Sequence, residues 1–473
     1  MSEIKTDVVV IGAGPGGYPA AFHCADKGKK VVLIDPEINP GGVCLYRGCI
    51  PSKALLHAAK IIHEAEDSKN IGIDYKPPSI NVRKLFNWKD EVVKKLTGGL
   101  KLLTKSRNIV YIQGYASFTS NNTLTVKTGR NKKSKVNFEY AIIATGSVPI
   151  AIPGIDLDTR NVLSSKTALS LNKVPKNMLI VGGGYIGLEL GTVYSALGTE
   201  ITVVEMLDSL IQGADKDLVN ILNKRLKKDF KSILLSTKLN ELKELKTKVK
   251  VLLETKEKID EYEFEKVLIS IGRKPNTDKL DLKNTNVEVD EKGFIKVDNQ
   301  RRTAEKNIFA IGDVAGEPML AHKATYEGKI VSEVINGEKS TYDPAAIPAI
   351  IFTDPEIAWC GITENYARDN KIDVEISKFP WAASGRALTL NRTDGMTKVI
   401  VDKSTKRVHG VGIVGPGAGE LISEAVLAIE MAATAEDIAF TIHPHPTLTE
   451  TFMEAAEGIY GNPTHQIKIK KAN

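Results

Sequence analysis

Cysteine is scarce in this chain, with four in 473 residues. That is too few for the framework of a small secreted scaffold, so any disulfide is expected to be chemical rather than structural. No apolar run is long enough to span a bilayer, which excludes a membrane-embedded reading. Chain length and a hydrophobic content of 42% predict a soluble protein with ample core and three domains. No signal or transit peptide is expected, because Met-Ser-Glu-Ile-Lys-Thr runs straight into an apolar strand. The expected location is cytoplasmic. Charge gives nucleic acid little to hold: the net value is +6, carried by dispersed lysine. Clusters such as Lys132, Lys133 and Lys135, or Lys468, Lys470 and Lys471, lack interleaved aromatics and read as solvated surface. Neither nucleic acid nor membrane is expected as a partner, and a modest attraction to acidic proteins is all the charge implies.

What the chain does have is one glycine signature written twice. The first copy is Gly12-Ala13-Gly14-Pro15-Gly16-Gly17, the second Gly182-Gly183-Gly184-Tyr185-Ile186-Gly187, and each ends in an acid 23 residues beyond its first glycine, Asp35 or Glu205. Apolar runs, Asp7 to Ile11 and Met178 to Val181, lead in as buried parallel strands. The first glycine permits a tight turn, the second lets backbone amides approach a pyrophosphate, and the third lets the following helix pack on the strand with its N-terminus toward negative charge. A second strand follows, Lys30 to Ile34 or Glu200 to Val204, and the acid at its end is placed to accept hydrogen bonds from a ribose diol. One such glycine turn is weak evidence. Strand, helix and acid in register, twice, point to two dinucleotides.

Between the copies lie a lysine-rich helical stretch from about Ala54 to Ser106, short strands from Ile109 to Asn137 and a strand from Tyr140 to Ala144 ending in Thr145-Gly146. The second copy sits in an insertion, with Gly272-Arg273-Lys274-Pro275 marking the return. The strand at Asn307 to Ile311 then ends in Gly312-Asp313, where the aspartate is placed either to hold a cofactor hydroxyl or to cap a turn. The predicted class is α/β: a Rossmann-like domain in two parts, 1–149 and 274–346, a second one at 150–273 inserted into it, and an α+β domain at 347–473.

Cys44 and Cys49 stand in Gly42-Val43-Cys44-Leu45-Tyr46-Arg47-Gly48-Cys49-Ile50-Pro51-Ser52-Lys53, ahead of an amphipathic helix. A helix start lowers a thiol's pKa. In a regular helix residues five apart are about 140° and roughly 8 Å apart, too far for a disulfide, so Gly48 and Pro51 are expected to distort the turn. The spacing fits no zinc site, and no metal is expected. Two buried free cysteines remain the plain alternative, as Cys24 and Cys360 already look to be core thiols.

With these motifs, and with Leu188-Glu189, Met319-Leu320-Ala321-His322-Lys323, Phe379-Pro380-Trp381 and His443-Pro444-His445-Pro446-Thr447-Leu448-Thr449-Glu450, the chain resembles the pyridine nucleotide-disulfide oxidoreductases almost end to end. Within that family it is most similar to the members that oxidise dihydrolipoamide. The resemblance implies FAD on Gly12, Gly14, Gly16, Gly17, Asp35, Gly42, Val43, Cys44, Lys53, Ala116, Thr145, Gly146, Asp313 and Ala321. It implies NAD on Gly182 to Gly187, Glu205, Leu239 and Gly272. A Cys44–Cys49 disulfide would be redox-active, Cys44 exchanging with substrate and Cys49 facing the flavin, with Lys53 paired to Glu189 beside it. His445, oriented by Glu450 and donated across a homodimer formed by the C-terminal domain, would be the base, and His443 structural. Read from the residues alone, Thr447 to Glu450 also fits a capping box. The implied partner is the lipoyl-bearing acyltransferase of 2-oxo acid dehydrogenase complexes, or the glycine cleavage system.

Three residues depart from the family pattern. Asp35 replaces glutamate, one methylene shorter, so its ribose contact is expected to be longer or water-bridged. Tyr46 replaces asparagine, and Pro444 alanine. Among neighbouring families, glutathione reductase needs a basic site for a 2′-phosphate, which Glu205-Met206-Leu207-Asp208 would repel. A non-catalytic flavoprotein scaffold is the reading from a different class, against which the cysteine pair and the His445 tail both count.

Overall fold

A computed structural model describes residues 2–129, 132–461 and 463–466, so Lys468, Lys470 and Lys471 lie outside the described residues. Contacts divide the chain into two units. One comprises Met1–Ala54, Val82–Ile152 and Gly272–Asp343, the other Leu55–Asn81, Pro153–Ile271 and Pro344–Asn473.

In the first unit, β1 (Ser2–Ile11), β2 (Val31–Asp35) and β3 (Val110–Gln113) run parallel with β6 (Lys133–Ile143) in the order β3-β2-β1-β6. The strand Ile308–Ala310 pairs in parallel with the second half of β6. Its first half pairs antiparallel with β5 (Thr123–Lys127), and β5 with β4 (Tyr115–Ser120). The central strands are apolar where both faces are covered, over Val8–Ile11, Val31–Ile34 and Ala141–Ile143. Val8, Val10, Leu33 and Ile142 enter one core; Val9, Ile11, Val32, Ile34 and Ile143 enter the other. In the first core they meet Ala20, Ala21 and Cys24 of α1 (Gly17–Asp26) and Ile330, Val331 and Val334 of the helix Ala321–Ile335.

The helical stretch expected from 54 to 106 is two helices, α3 (Cys49–Asp67) and α4 (Val82–Ser106). Pro77 and Pro78 lie between them, where missing N–H groups and the bias against α conformation before proline rule out helix. The strand expected at 140–144 is the end of β6, which runs unbroken from Lys133.

The second unit carries a parallel sheet, ordered Ser232–Leu234, Glu200–Val204, Asn177–Val181, Lys266–Ile269, Val162–Leu163. An antiparallel three-stranded sheet, Lys238–Glu244, Val249–Glu254 and Ile259–Phe264, accompanies it. The C-terminal part is an antiparallel sheet, ordered Ala349–Ile351, Glu356–Gly361, Val408–Gly415, Met396–Asp402, Val374–Pro380. Helices Ala418–Glu430 and Glu450–Ile459 cover it, bringing Ile422, Ala425, Phe452 and Ala455 onto Ala358, Val399 and Val411. The fold is thus α/β, with two dinucleotide-type sheets and a separate α+β sheet. No helix among the described residues is long and apolar enough to cross a membrane.

One buried charge network stands out in this unit. Lys398, fully buried, reaches Asp215 at 2.6 Å and Asp217 and Glu364 at 2.9 Å, and Lys378 reaches Asp217 and Glu364 at 2.8 Å. The three carboxylates converge closely enough to suit a cation, and two ammonium groups already stand among them, balancing two of the three charges.

Candidate active site

The first glycine turn joins β1 to α1. Gly12 adopts φ +98, where a Cβ would collide with the Ala144 carbonyl, and a Cβ on Gly17 would collide with the Gly12 carbonyl oxygen. Gly14 faces only the Gly42 Cα, 3.9 Å from where its Cβ would be. Gly16 packs on Ala324, and the Thr325 hydroxyl donates to the Pro15 carbonyl at 2.8 Å, seating the turn on the helix Ala321–Ile335. Buried Asp35 accepts the Ala13 N–H at 2.6 Å on one oxygen and the Glu37 N–H at 2.9 Å on the other. Burial raises its carboxyl pKa, and those two amides oppose the rise.

The second turn repeats the plan. Gly182 adopts φ +106 beneath the Ser270 carbonyl, Gly187 backs onto the Gly182 carbonyl, and no atom lies within 4 Å of a Cβ built on Gly184. Glu205 accepts the Gly183 N–H at 2.7 Å and the Leu207 N–H at 2.9 Å. In both turns the acid therefore ties the end of the second strand to the glycines and keeps only its remaining lone pairs for a ribose. Tyr185 is exposed, Ile186 half-buried, and Leu239 half-buried on the strand Lys238–Glu244. Gly272 falls in the first unit, at φ +131, its carbonyl accepting the Ile150 N–H.

Beyond β2 the chain passes through Gly41 and Gly42, at φ +148 and +57, into α2 (Gly42–Arg47). The Gly41 N–H donates to the Ala13 carbonyl at 2.8 Å, so α2, carrying exposed Val43 and half-buried Cys44, starts against the dinucleotide turn. Gly48, at φ −143 and ψ −116, breaks the helix, and exposed Cys49 opens α3. The distortion belongs to Gly48. Pro51 sits in the first turn of α3, where its missing N–H costs nothing. The break brings Cys44 and Cys49 into hydrogen-bonding contact, both as free thiols. Of the two thiols, Cys49 stands at the start of α3 and Cys44 does not. Cys44 lies within α2, and the bond to Cys49, followed by burial, pushes it far up. Burial also pushes Cys24 up to about 11 and Cys360 up to about 12, as fits core thiols.

Thr145 and Gly146 follow β6, the threonine hydroxyl donating to the Asn276 carbonyl at 2.8 Å, and nothing lies within 4 Å of a Cβ on Gly146. Ala116 is buried in β4, opposite Val126. Asp313 occupies a short 3-10 turn and accepts the Ser147 hydroxyl, which itself accepts from Arg273 at 2.7 Å. Ala321 opens the helix that follows. Lys53 lies in α3, in the first unit. In the second, buried Glu189 accepts the Phe352 N–H at 3.1 Å.

At the chain's end His445 Nδ1 lies 2.8 Å from one oxygen of Glu450, whose other oxygen accepts the Thr447 N–H at 2.8 Å. One carboxylate thus orients the imidazole and ties down the Thr447 backbone, but no capping box forms, because the helix starts at Glu450 with Thr449 at its N-cap and no side-chain cap bond. The Thr447 hydroxyl donates to the Pro444 carbonyl at 2.7 Å. Burial would raise the Glu450 carboxyl, but the Thr447 N–H and then His445 outweigh it, and the net shift is downward. His443 is fixed at both nitrogens, at 2.8 Å from Glu424 and from the Thr441 carbonyl.

Residues 6–328 match the family model described as pyridine nucleotide-disulphide oxidoreductase, and residues 347–456 match that of its dimerisation domain. The chain belongs to this family. It is 48% identical over 471 residues to the dihydrolipoyl dehydrogenase of Vibrio parahaemolyticus, covering 99% of this chain and 98% of that one. It is 49% identical to the protein of the same name from Vibrio cholerae, over 99% of both chains, and 45% to that of Geobacillus stearothermophilus, over 98% of both.

Several groups that shape this oxidoreductase site went unread in the sequence. Glu327, with no exposed surface, accepts the Gly312 N–H at 2.6 Å and pairs with Lys323 at 2.9 Å and Arg301 at 3.3 Å, fixing the turn that carries Asp313. The i,i+4 spacing of Lys323 and Glu327 was the one signal available, and it ordinarily marks a solvated helix face. Ser147 and Glu424 had no signal, since each meets its partner only through folding.

Proposed function

We propose that this family member oxidises dihydrolipoyl groups to the lipoyl disulfide and reduces NAD, using FAD and the Cys44–Cys49 pair. The observation that carries this reading is the contact of two thiols across the Gly48 break, on a helix that starts against the first dinucleotide turn. The named relatives support the substrate.

The residues present fit a dinucleotide in each turn. Space beside Gly14 and Gly184 would admit a pyrophosphate, the helices beginning at Gly17 and Tyr185 would face it, and Asp35 and Glu205 stand at the strand ends for the ribose diols. Glu205, with no arginine after it, favours NAD over its 2′-phosphorylated form. When bound, FAD supplies the two-electron relay from the dithiol to the nicotinamide. Thr145, Gly146, Asp313 and Ala321 would line the flavin, with Lys53 and Glu189 beside its ring.

In the oxidised enzyme His445 takes a proton from one substrate thiol, and the thiolate attacks the Cys44 sulfur. The Cys44–Cys49 bond breaks, Cys49 leaves as a thiolate, and a mixed disulfide joins Cys44 to substrate. Once its first proton has passed to solvent, His445 takes the proton of the second substrate thiol, and that thiolate attacks the substrate sulfur of the mixed disulfide, closes the lipoyl disulfide and expels Cys44 as a thiolate, which the imidazolium can reprotonate. Glu450 holds the imidazole and stabilises the imidazolium at each transfer.

The same reading places His445 across a homodimer of the C-terminal domain, whose family match supports dimerisation. Phe440 and Ile442, at 81% and 95% exposure, stand just before the histidines as apolar surface suited to such an interface. The reading further assigns residues 1–149 and 274–346 to FAD, 150–273 to NAD and 347–473 to the dimer. The lipoyl-bearing acyltransferase of a 2-oxo acid dehydrogenase complex is the macromolecular substrate, and a cytoplasmic location suits a chain with so few cysteines. The deciding assay supplies free dihydrolipoamide and NAD, and in parallel glutathione disulfide and NADPH. NADH formation is expected from the first pair; turnover of the second pair alone would overturn the reading.

A further inference from the structure

The segment between β2 and α2 holds a network that the proposed chemistry does not use. Glu37, two residues beyond Asp35, is fixed on three sides. Its N–H is donated to Asp35 at 2.9 Å, its carbonyl accepts the Tyr111 hydroxyl at 2.8 Å, and its carboxylate pairs with Arg47. Arg47 is the last residue of α2, separated from Cys49 by Gly48 alone. The Glu37 and Arg47 side chains are only 25% and 29% exposed. Beside them the Tyr46 hydroxyl donates to the Asn39 carbonyl at 3.1 Å and bonds Thr97 of α4.

The position of these contacts is what gives them a role. α2 has six residues, too few to hold a direction by itself, and a glycine flanks each end, Gly41 at φ +148 and Gly48 in a non-helical conformation. Such a helix moves as a small rigid piece unless something ties it down. A disulfide forms only when the two Cβ atoms come within about 3.5–4.5 Å, so a shift of α2 by a fraction of that distance decides whether Cys44 can bond Cys49. Gly41 ties the start of α2 to the dinucleotide turn through Ala13, and Arg47 ties its end to Glu37 and thence to Asp35.

We propose that the Glu37–Arg47 ion pair, seconded by Tyr46, is a clamp that positions Cys44 against Cys49, coupling the ribose-binding end of β2 to the ease with which the thiol pair closes. This rests on reading the pair as a redox couple. Glu37, Arg47 and Tyr46 are positioning residues: none supplies a reacting atom.

The test uses full-length, flavin-loaded protein as Arg47→Gln, Glu37→Gln and the exchanged pair Glu37→Arg with Arg47→Glu. Each is equilibrated with mixtures of reduced and oxidised dithiothreitol, which gives and takes two electrons and two protons per disulfide. Alkylation and mass spectrometry then report the closed fraction. Flavin content, dihydrolipoamide oxidation and NADH-to-ferricyanide electron transfer are measured alongside. In each single variant the exchange equilibrium is expected to move about tenfold toward the dithiol, while ferricyanide reduction and flavin content stay within about twofold, since the electron route that bypasses the pair is intact. The exchanged pair is expected to regain most of the wild-type equilibrium. An unmoved equilibrium in Arg47→Gln, or no recovery in the exchanged pair, overturns the clamp. If wild-type protein fails to oxidise dihydrolipoamide while its thiol equilibrium still depends on Arg47, the substrate reading falls and the clamp stands.

Discussion

His445 meets Glu450 through Nδ1 and is 77% exposed, which leaves Nε2 as the nitrogen available to a substrate thiol. A positioned base of this kind contributes about 10²–10⁴-fold to a proton-transfer step. His445→Gln is therefore expected to lose that much in dihydrolipoamide oxidation, measured by steady-state kinetics, while NADH-to-ferricyanide activity and flavin content persist. Full turnover in the variant would remove His445 from the mechanism. Glu450→Gln still accepts the Thr447 N–H but brings no charge to the imidazolium, so a smaller loss with an unchanged thermal midpoint is expected. At this scale the sequence displayed the residues and withheld their partners. It offered a cap or an orienting carboxylate as alternatives, and Glu450 sits beside the imidazole while the helix start has no side-chain cap.

The glycine turns separate fold from function within one element. At Gly187 a Cβ would stand 2.5 Å from the Gly182 carbonyl oxygen, whereas beside Gly184 there is open space and an ordinary backbone, φ −81. Gly187→Ala should lower the thermal midpoint markedly, because strand and helix can no longer approach. Gly184→Ala should leave the midpoint in place and raise the KM for NAD several-fold, by crowding the pyrophosphate. Equal loss of stability in the two variants would show that the gap beside Gly184 is not a ligand space. These turns were legible in the sequence because a strand, a glycine spacing and a helix are local features. The Gly48 break was foreseen from the five-residue separation of the cysteines, whereas the contact it creates between the two thiols depends on where the Cys49 sulfur ends up.

Across the second unit, Lys398 in the C-terminal sheet gathers Asp215 and Asp217 near the start of the helix Lys216–Asp229, and Glu364 with them. Removing one side of a buried pair costs about 3–5 kcal/mol, and here loss of Lys398 leaves buried Asp215 without its ammonium, whereas Asp217 and Glu364 keep Lys378. Lys398→Met should show a loss of that order in denaturant unfolding. Burial would raise the Asp217 carboxyl, but Lys378 and Lys398 outweigh it and hold it below its ordinary value. A lowered folded-state pKa contributes stability above the ordinary carboxylate range, and that stability disappears as pH falls through the lowered value. The gap in thermal midpoint between wild type and Asp217→Asn should accordingly be constant near neutrality and close under acid. A gap that widens under acid would contradict the assignment.

The sequence by itself determined the elements whose signals are periodic or short in range: two strand–glycine–helix turns with their acids, the cysteine pair with its helix, and an α+β segment at the end. Apolar alternation and backbone permissiveness act between neighbours in the chain, so they can be read there. Tertiary structure alone decided the long-range polar contacts: Glu37 on Arg47, Ser147 on Asp313, Glu327 beneath Gly312, Lys398 among three carboxylates. A charged side chain is written the same way whether it meets water or a partner far along the chain, and only burial settles which.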